Sequence, residues 1–108
     1  MINCKDHILN VDGVQFTLDY PIQEAFEYDD SIVVLFRPES KKTGQFQNLI
    51  ALSRVGRIKW TADLPTSETV EAYYSVEPGT PLIAGSFCGY RCEIDPRTGR
   101  ILCKTFRG

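Results

Sequence analysis

The sequence predicts an all-β fold, with about ten short antiparallel strands packed as two sheets in a twisted sandwich or a partly open barrel. Three observations predict it. Its apolar and β-branched stretches are short, nearly every gap between them carries Gly, Pro, Asp or Asn, and no sustained three-four spacing marks a helix. The 108 residues, 43% hydrophobic and 24% charged, are one domain's worth of ordinary globular composition, so a single folded unit is expected over 1–108.

Strands are expected at 7–11, 14–19, 22–28, 31–37, 46–53, 57–61, 70–76, 80–86, 89–94 and 100–106. The first two are joined through Asp12-Gly13, a pair that tolerates positive φ in a tight hairpin. Residues 22–28 contain helix formers but are too few for an isolated helix, so they read as a strand, separated from the next by Asp29-Asp30-Ser31. Residues 37–44, Arg-Pro-Glu-Ser-Lys-Lys-Thr-Gly, are polar and turn-rich and read as an exposed hairpin loop that concentrates positive charge. Ser67 offers a cap for a single helical turn over 67–72, and Pro78-Gly79 supplies the next hairpin turn. Alternation and apolar runs select Phe16, Leu18, Phe26, Ile32, Val34, Phe36, Leu49, Ala51, Ile58, Trp60, Ile83, Phe87, Ile94 and Ile101 as core.

The hairpins near the middle and the end repeat one pattern. Leu49-Ile50-Ala51-Leu52-Ser53-Arg54-Val55-Gly56-Arg57-Ile58-Lys59-Trp60 and Cys92-Glu93-Ile94-Asp95-Pro96-Arg97-Thr98-Gly99-Arg100-Ile101-Leu102-Cys103 both place an apolar strand, a Gly-centred turn and Arg-Ile, with Gly-Arg-Ile recurring 43 residues apart. A fainter echo runs from Leu9 to Phe16, with Leu9 standing 43 residues before Leu52. At these residues the chain resembles the blade repeat of quinoprotein-type β-propellers: Asp95, Thr98, Gly99 and Arg100 match it, as do Ala51, Gly56, Arg57 and Trp60. Ser53 stands where that repeat has Asp, and Cys103 where it has a second Trp. The resemblance implies local blade structure over about two copies. It does not imply the quinone, which in such enzymes sits on the axis of a complete ring, and a closed ring needs four or more blades.

Charge narrows the function. The formal net charge is −2, with five basic and eight acidic residues in 1–54 against seven and six in 55–108. Nucleic-acid affinity rests on phosphate neutralisation by basic clusters, so an acidic chain without one is expected to bind no nucleic acid, and a basic protein partner suits it better. No apolar run approaches bilayer length and no leader pattern opens the chain, so no membrane association and a cytoplasmic location are expected.

Chemistry-bearing residues are few. In a reducing compartment Cys4, Cys88, Cys92 and Cys103 read as buried free thiols. Cys88 and Cys92 would lie about 13 Å apart along a strand, which argues against a shared metal. His7 is the one histidine, near a terminus and without a nucleophile turn, so no catalytic constellation, metal or cofactor is expected. The best recognition surface is the acidic, aromatic stretch Asp19, Tyr20, Glu24, Glu27, Tyr28, Asp29 and Asp30, with Glu71, Tyr73 and Tyr74 as a smaller one. Aromatics anchor and carboxylates steer in protein interfaces.

In overall style, meaning size, acidity and a single β domain, the chain resembles the small bacterial immunity proteins encoded beside contact-dependent inhibition and related secreted toxins. That resemblance implies a non-enzymatic protein, monomeric when free, that occludes a basic toxin domain, a nuclease among the candidates. The alternative expectation is a structural propeller-like module that self-assembles or completes a larger ring through its exposed strand edges.

Overall fold

The computed structural model describes residues 1–42 and 44–108. Among the described residues eleven strands follow one another: β1 (Ile2–Lys5), β2 (Ile8–Val11), β3 (Val14–Thr17), β4 (Ile22–Tyr28), β5 (Ser31–Phe36), β6 (Leu49–Leu52), β7 (Ile58–Thr61), β8 (Tyr73–Glu77), β9 (Leu82–Ser86), β10 (Tyr90–Ile94) and β11 (Ile101–Phe106). They form three antiparallel sheets in the orders β1-β2-β3, β4-β5-β6-β7 and β11-β10-β9-β8, so each sheet is a meander of consecutive strands. The antiparallel all-β class holds, with one strand and one sheet more than expected. Residues 67–72, where a helical turn was expected, are instead bent and extended, and Glu71 bridges to Gln45.

The sheets stack as three layers. One face of the middle sheet, carrying Val33, Leu35, Leu49, Ala51 and Trp60, packs on Tyr73, Val76, Leu82, Ala84, Cys92 and Ile94 of the third. Its other face, with Ile32, Val34, Phe36, Ile50 and Leu52, packs on Leu9 and Val11 of the first. Every residue of β5 and β6 is therefore buried, which is why Ile32–Phe36 and Leu49–Leu52 read as unbroken apolar runs. Each large apolar side chain so covered is stabilising by about 1.5–3 kcal/mol relative to exposure.

Both outward faces of the stack mix polar with exposed apolar side chains, Ile8 on the first sheet and Tyr74 on the third among them. On the first sheet Asn3, Asn10 and Gln15 form a cross-strand row, followed by Lys5, Ile8 and Thr17. On the third, Arg91 and Glu93 alternate with the buried Cys92 and Ile94.

The repeated hairpins are structurally equivalent. The β6–β7 pair carries a bulge after Ala51 and the β10–β11 pair one after Glu93, so Ala51 faces Trp60 as Glu93 faces Cys103. Gly56 and Gly99 both adopt left-handed φ, +85° and +75°. Each lies against an aromatic ring of the preceding sheet: a Cβ on Gly56 would stand 2.6 Å from the Phe16 ring, and one on Gly99 2.6 Å from Trp60 Cε3. The Trp60 indole is fixed in addition by its N–H, which donates to the Pro96 carbonyl at 2.8 Å. The faint third copy does fall on the β2–β3 hairpin, one residue out of the expected alignment. Leu9 faces Phe16 and so corresponds to Ala51, not Leu52.

Two buried polar side chains, Asn48 and Glu71, tie separate segments of the chain together. The Asn48 amide donates to the carbonyls of Phe36 (2.9 Å) and Tyr73 (2.7 Å) and accepts from the Tyr73 N–H (2.9 Å), so it acts as one rung between the layers. Glu71 accepts four hydrogen bonds: at Oε1 from the N–H groups of Ala72 (3.2 Å) and Cys88 (3.1 Å), and at Oε2 from the hydroxyls of Thr66 (3.0 Å) and Ser86 (3.2 Å). It fastens the β7–β8 connection to the turn between β9 and β10.

Two core assignments fail. Ile58 is exposed because it begins β7 at the bulge, and Phe87 is exposed because β9 ends one residue earlier. Phe16, Leu18, Phe26 and Ile101 are half-buried at the margins of the two cores, and the remaining selected residues are buried.

Candidate partner-binding surface

The ten residues selected for recognition separate into three places. Asp19 is exposed on the β3–β4 connection, and the neighbouring Tyr20 is half-buried against the rings of Phe36 and Phe46, at 5.5 and 4.6 Å between centroids. Glu24, Glu27 and Tyr28 lie on β4, and Asp29 and Asp30 form the turn after it. Glu71 and Tyr73 are not surface residues at all: both are fully buried. A carboxylate beside a β-strand reads as solvated in a sequence, but Glu71 finds four donors inside. The Tyr73 hydroxyl donates to the Asp63 carbonyl at 2.6 Å, and burial pushes its ionisation well above the ordinary tyrosine value. Tyr74 alone of that smaller group is exposed, with Phe87 beside it at 5.7 Å.

The meander topology brings the turns after β2, β4 and β6 to one end of the stack. There Arg54 bridges Asp12 (2.9 Å) and Glu27, while Lys59 meets Asp30 (3.3 Å) and the Ser31 hydroxyl (2.7 Å). Asp29, at φ +54°, projects from the same turn with no ion pair among the described residues. Asp12 of the β2–β3 turn and Glu27, Asp29 and Asp30 at the end of β4 thus share one rim with two basic side chains. Tyr28 anchors this rim to the third sheet by donating to the Gly79 carbonyl at 2.6 Å. Half-buried Glu24 stands apart from these pairs, and burial raises its carboxyl above the usual range.

Asp12, Arg54 and Lys59 were not selected from the sequence. Their signal was the hairpin order itself, since alternate turns of a meander lie at the same end. The Lys59 ammonium holds the Asp30 carboxyl below its ordinary value, first by hydrogen bonding and then by charge. A folded-state value below the unfolded one stabilises at pH above the unfolded value, and that contribution disappears as acid protonates Asp30. Lys59→Ala is therefore expected to move the Asp30 carboxyl titration upward, read by carboxyl carbon chemical shifts. An unmoved midpoint contradicts the pairing.

His7 is exposed, with Nδ1 at 3.1 Å from the Leu18 carbonyl oxygen. The cysteines are free, but only Cys92 is buried; Cys4 and Cys88 are half-buried and Cys103 is exposed on the edge strand β11. Burial raises the thiols of Cys4, Cys88 and Cys92 above the ordinary range, which keeps them protonated. Among the described residues no group of three His, Cys, Asp or Glu side chains is disposed to hold a metal ion, and no helix is long and apolar enough to cross a membrane. In the basic loop 37–44, Pro38–Ser40 forms a short 3-10 turn and Lys41 donates to the Gln45 carbonyl at 3.0 Å. Thr43 of that loop lies outside the described residues.

The fold and its surface define a three-layer, all-β domain of meandering sheets. The chain belongs to a domain family of unknown function, DUF7957, whose family model matches residues 1–106. No curated protein and no solved structure matches it.

Proposed function

We propose that this chain is a non-enzymatic binding protein of the immunity type, which neutralises a secreted bacterial toxin, a nuclease among the candidates, by covering its basic active-site groove. The observation that carries the reading is the rim at which Asp12, from the β2–β3 turn, meets Glu27, Asp29 and Asp30, from the end of β4 and the turn after it. A rim mounted on strands buried on both faces loses little freedom on docking. Arg54 and Lys59 hold the carboxylates in place, and Asp29 is left to meet a partner's basic group. Carboxylates so arranged are suited to stand in for the phosphates of a nuclease substrate.

Charge reversal tests the rim directly. Asp29→Lys combined with Asp30→Lys is expected to slow association with the product of the adjacent gene by about tenfold or more at low salt, and by less at high salt. Both residues are exposed turn positions, so the variant keeps its fold, which its circular dichroism and unfolding midpoint verify. Equal association rates for the two proteins at low salt contradict the proposed contact.

A further inference from the structure

The repeated unit has four strands in the second and third sheets but three in the first. The β2–β3, β6–β7 and β10–β11 hairpins correspond, so the strands before them, β1, β5 and β9, correspond as well. β5 and β9 each pair antiparallel with a further strand, β4 and β8, and both of those carry a bulge after their first residue. β1 has no such neighbour and is the edge of its sheet. The Asp12 N–H donates to the Met1 carbonyl at 3.1 Å, and ladder bonds alternate along an antiparallel pair, so Asn3 and Lys5 turn their backbone groups toward β2 while Ile2 and Cys4 turn theirs away. Farther along the same edge the Asp6 carbonyl accepts from the Ile22 N–H at 2.7 Å, but Ile2 and Cys4 have no backbone partner there among the described residues. The layer beneath is correspondingly less covered. Ala25 of β4 and Val76 of β8 hold equivalent places, three residues after Ile22 and Tyr73, and each packs toward the preceding sheet. Val76 is 5% exposed, whereas Ala25 is half-buried, as are Ile2 and Cys4.

We propose that the β1 edge binds an extended segment of a partner protein as a fourth, antiparallel strand, whose side chain opposite Cys4 is apolar and closes over Ala25. In such strand addition the main-chain hydrogen bonds, here to Ile2 and Cys4, give affinity and alternate side chains give specificity. Phe26 sets the side-chain requirement. It stands opposite Val33, the residue of β5 that corresponds to Cys4, and packs into the core between the second and third sheets. A second copy of the chain is a poorer occupant: its own β4 packs on its β1, so pairing two β1 edges brings two β4 strands toward one space. Binding at this edge does not require a basic partner at the acidic rim, and the rim does not require an added strand.

The test is a set of amide-resolved NMR titrations of the full chain with three blocked peptides: Ac-Val-Lys-Phe-Lys-Val-NH2, the same peptide N-methylated at Phe and at the last Val, and a version with Ser in place of Phe. The first is expected to give saturable shifts centred on Ile2, Cys4 and Ala25. N-methylation removes the two donors that face the edge and is expected to weaken binding about tenfold or more, and the Ser peptide is expected to bind about fivefold or more weakly. Cys4→Pro is expected to abolish the response. The Cys4 N–H serves no bond within the sheet, and proline is tolerated on that side of an edge strand; the dispersion of the variant's own spectrum verifies its fold, and the N-methylated peptide tests the same bonds on the unaltered chain. No saturable response, equal affinity for the N-methylated peptide, or shifts centred instead on the opposite edge strand β11 would each overturn the proposal. Ile2 and Cys4 amide shifts that move with protein concentration in the absence of peptide would overturn it in favour of a second copy.

Discussion

Replacing Glu71 by alanine is expected to lower the unfolding free energy by about 3–5 kcal/mol, a large share of the stability of a domain this size. The reason lies in what remains. The N–H groups of buried Ala72 and half-buried Cys88 lose their shared acceptor, and the hydroxyls of Thr66 and Ser86 lose theirs. Each buried donor left without a partner costs about 1–3 kcal/mol. Glu71→Gln keeps one acceptor oxygen and the side-chain shape, so it is expected to cost less, about 1–3 kcal/mol. Glu68→Ala, three residues away and exposed, is expected to change stability by less than about 0.5 kcal/mol. Urea unfolding of the three variants decides the matter. A midpoint for Glu71→Ala close to that of Glu68→Ala contradicts the internal role of the carboxylate.

Gly99→Ala is expected to be nearly as damaging, at about 2–4 kcal/mol, and a comparison of three glycines separates its two causes. Gly13, Gly56 and Gly99 all have left-handed φ, at +87°, +85° and +75°, so alanine pays a similar conformational penalty at each. Their surroundings differ. A Cβ on Gly13 meets nothing within 4 Å, whereas one on Gly99 would stand 2.6 and 2.9 Å from two indole carbons of Trp60 and 3.2 Å from the Thr61 carbonyl oxygen. Trp60 cannot step aside easily, being buried and hydrogen-bonded to Pro96. At Gly56 the ring in the way belongs to Phe16, which is only half-buried and has no hydrogen bond to hold it. The expected order of destabilisation is Gly99 first, then Gly56, then Gly13 at about 1 kcal/mol. Equal losses at all three in thermal or urea unfolding would mean that contact between successive sheets adds nothing.

These two sites mark where the sequence was readable and where it was not. Turn chemistry located the hairpins: Asp12-Gly13 and Asp29-Asp30 sit where expected, and the Gly56 and Gly99 turns share one bulged register. Alternation failed in the middle layer. Choosing Ile32, Val34 and Phe36 as core omits Val33 and Leu35, which face the third sheet. The unbroken run from Ile32 to Phe36 did carry that information, because a strand covered on both faces has no polar side to alternate with. Strand β1 escaped notice because Asn3 and Lys5 face outward, leaving only Ile2 and Cys4 as an apolar signal.

The surface was less legible than the core. Nothing local distinguishes buried Glu71 from exposed Glu68, since the difference depends on donors brought from β9 and the turn after it. Phe87 reads as core by composition, yet it lies one residue past the end of β9 and faces solvent. Conversely, the acidic stretch from Asp19 to Asp30 reads as one surface but is divided by the length of β4, with Tyr20 packed at one end and Asp29 projecting at the other. Arg54 and Lys59 enter the rim only through pairing of strands distant in sequence, at separations of 27 residues from Glu27 and 29 from Asp30.

Size-exclusion chromatography of an equimolar mixture with the purified product of the adjacent gene, followed by assay of that product's toxicity, tests the functional account most directly. A single complex in which the toxic activity is suppressed is the result expected. Two separately eluting species, with the neighbour's activity unchanged, would contradict it.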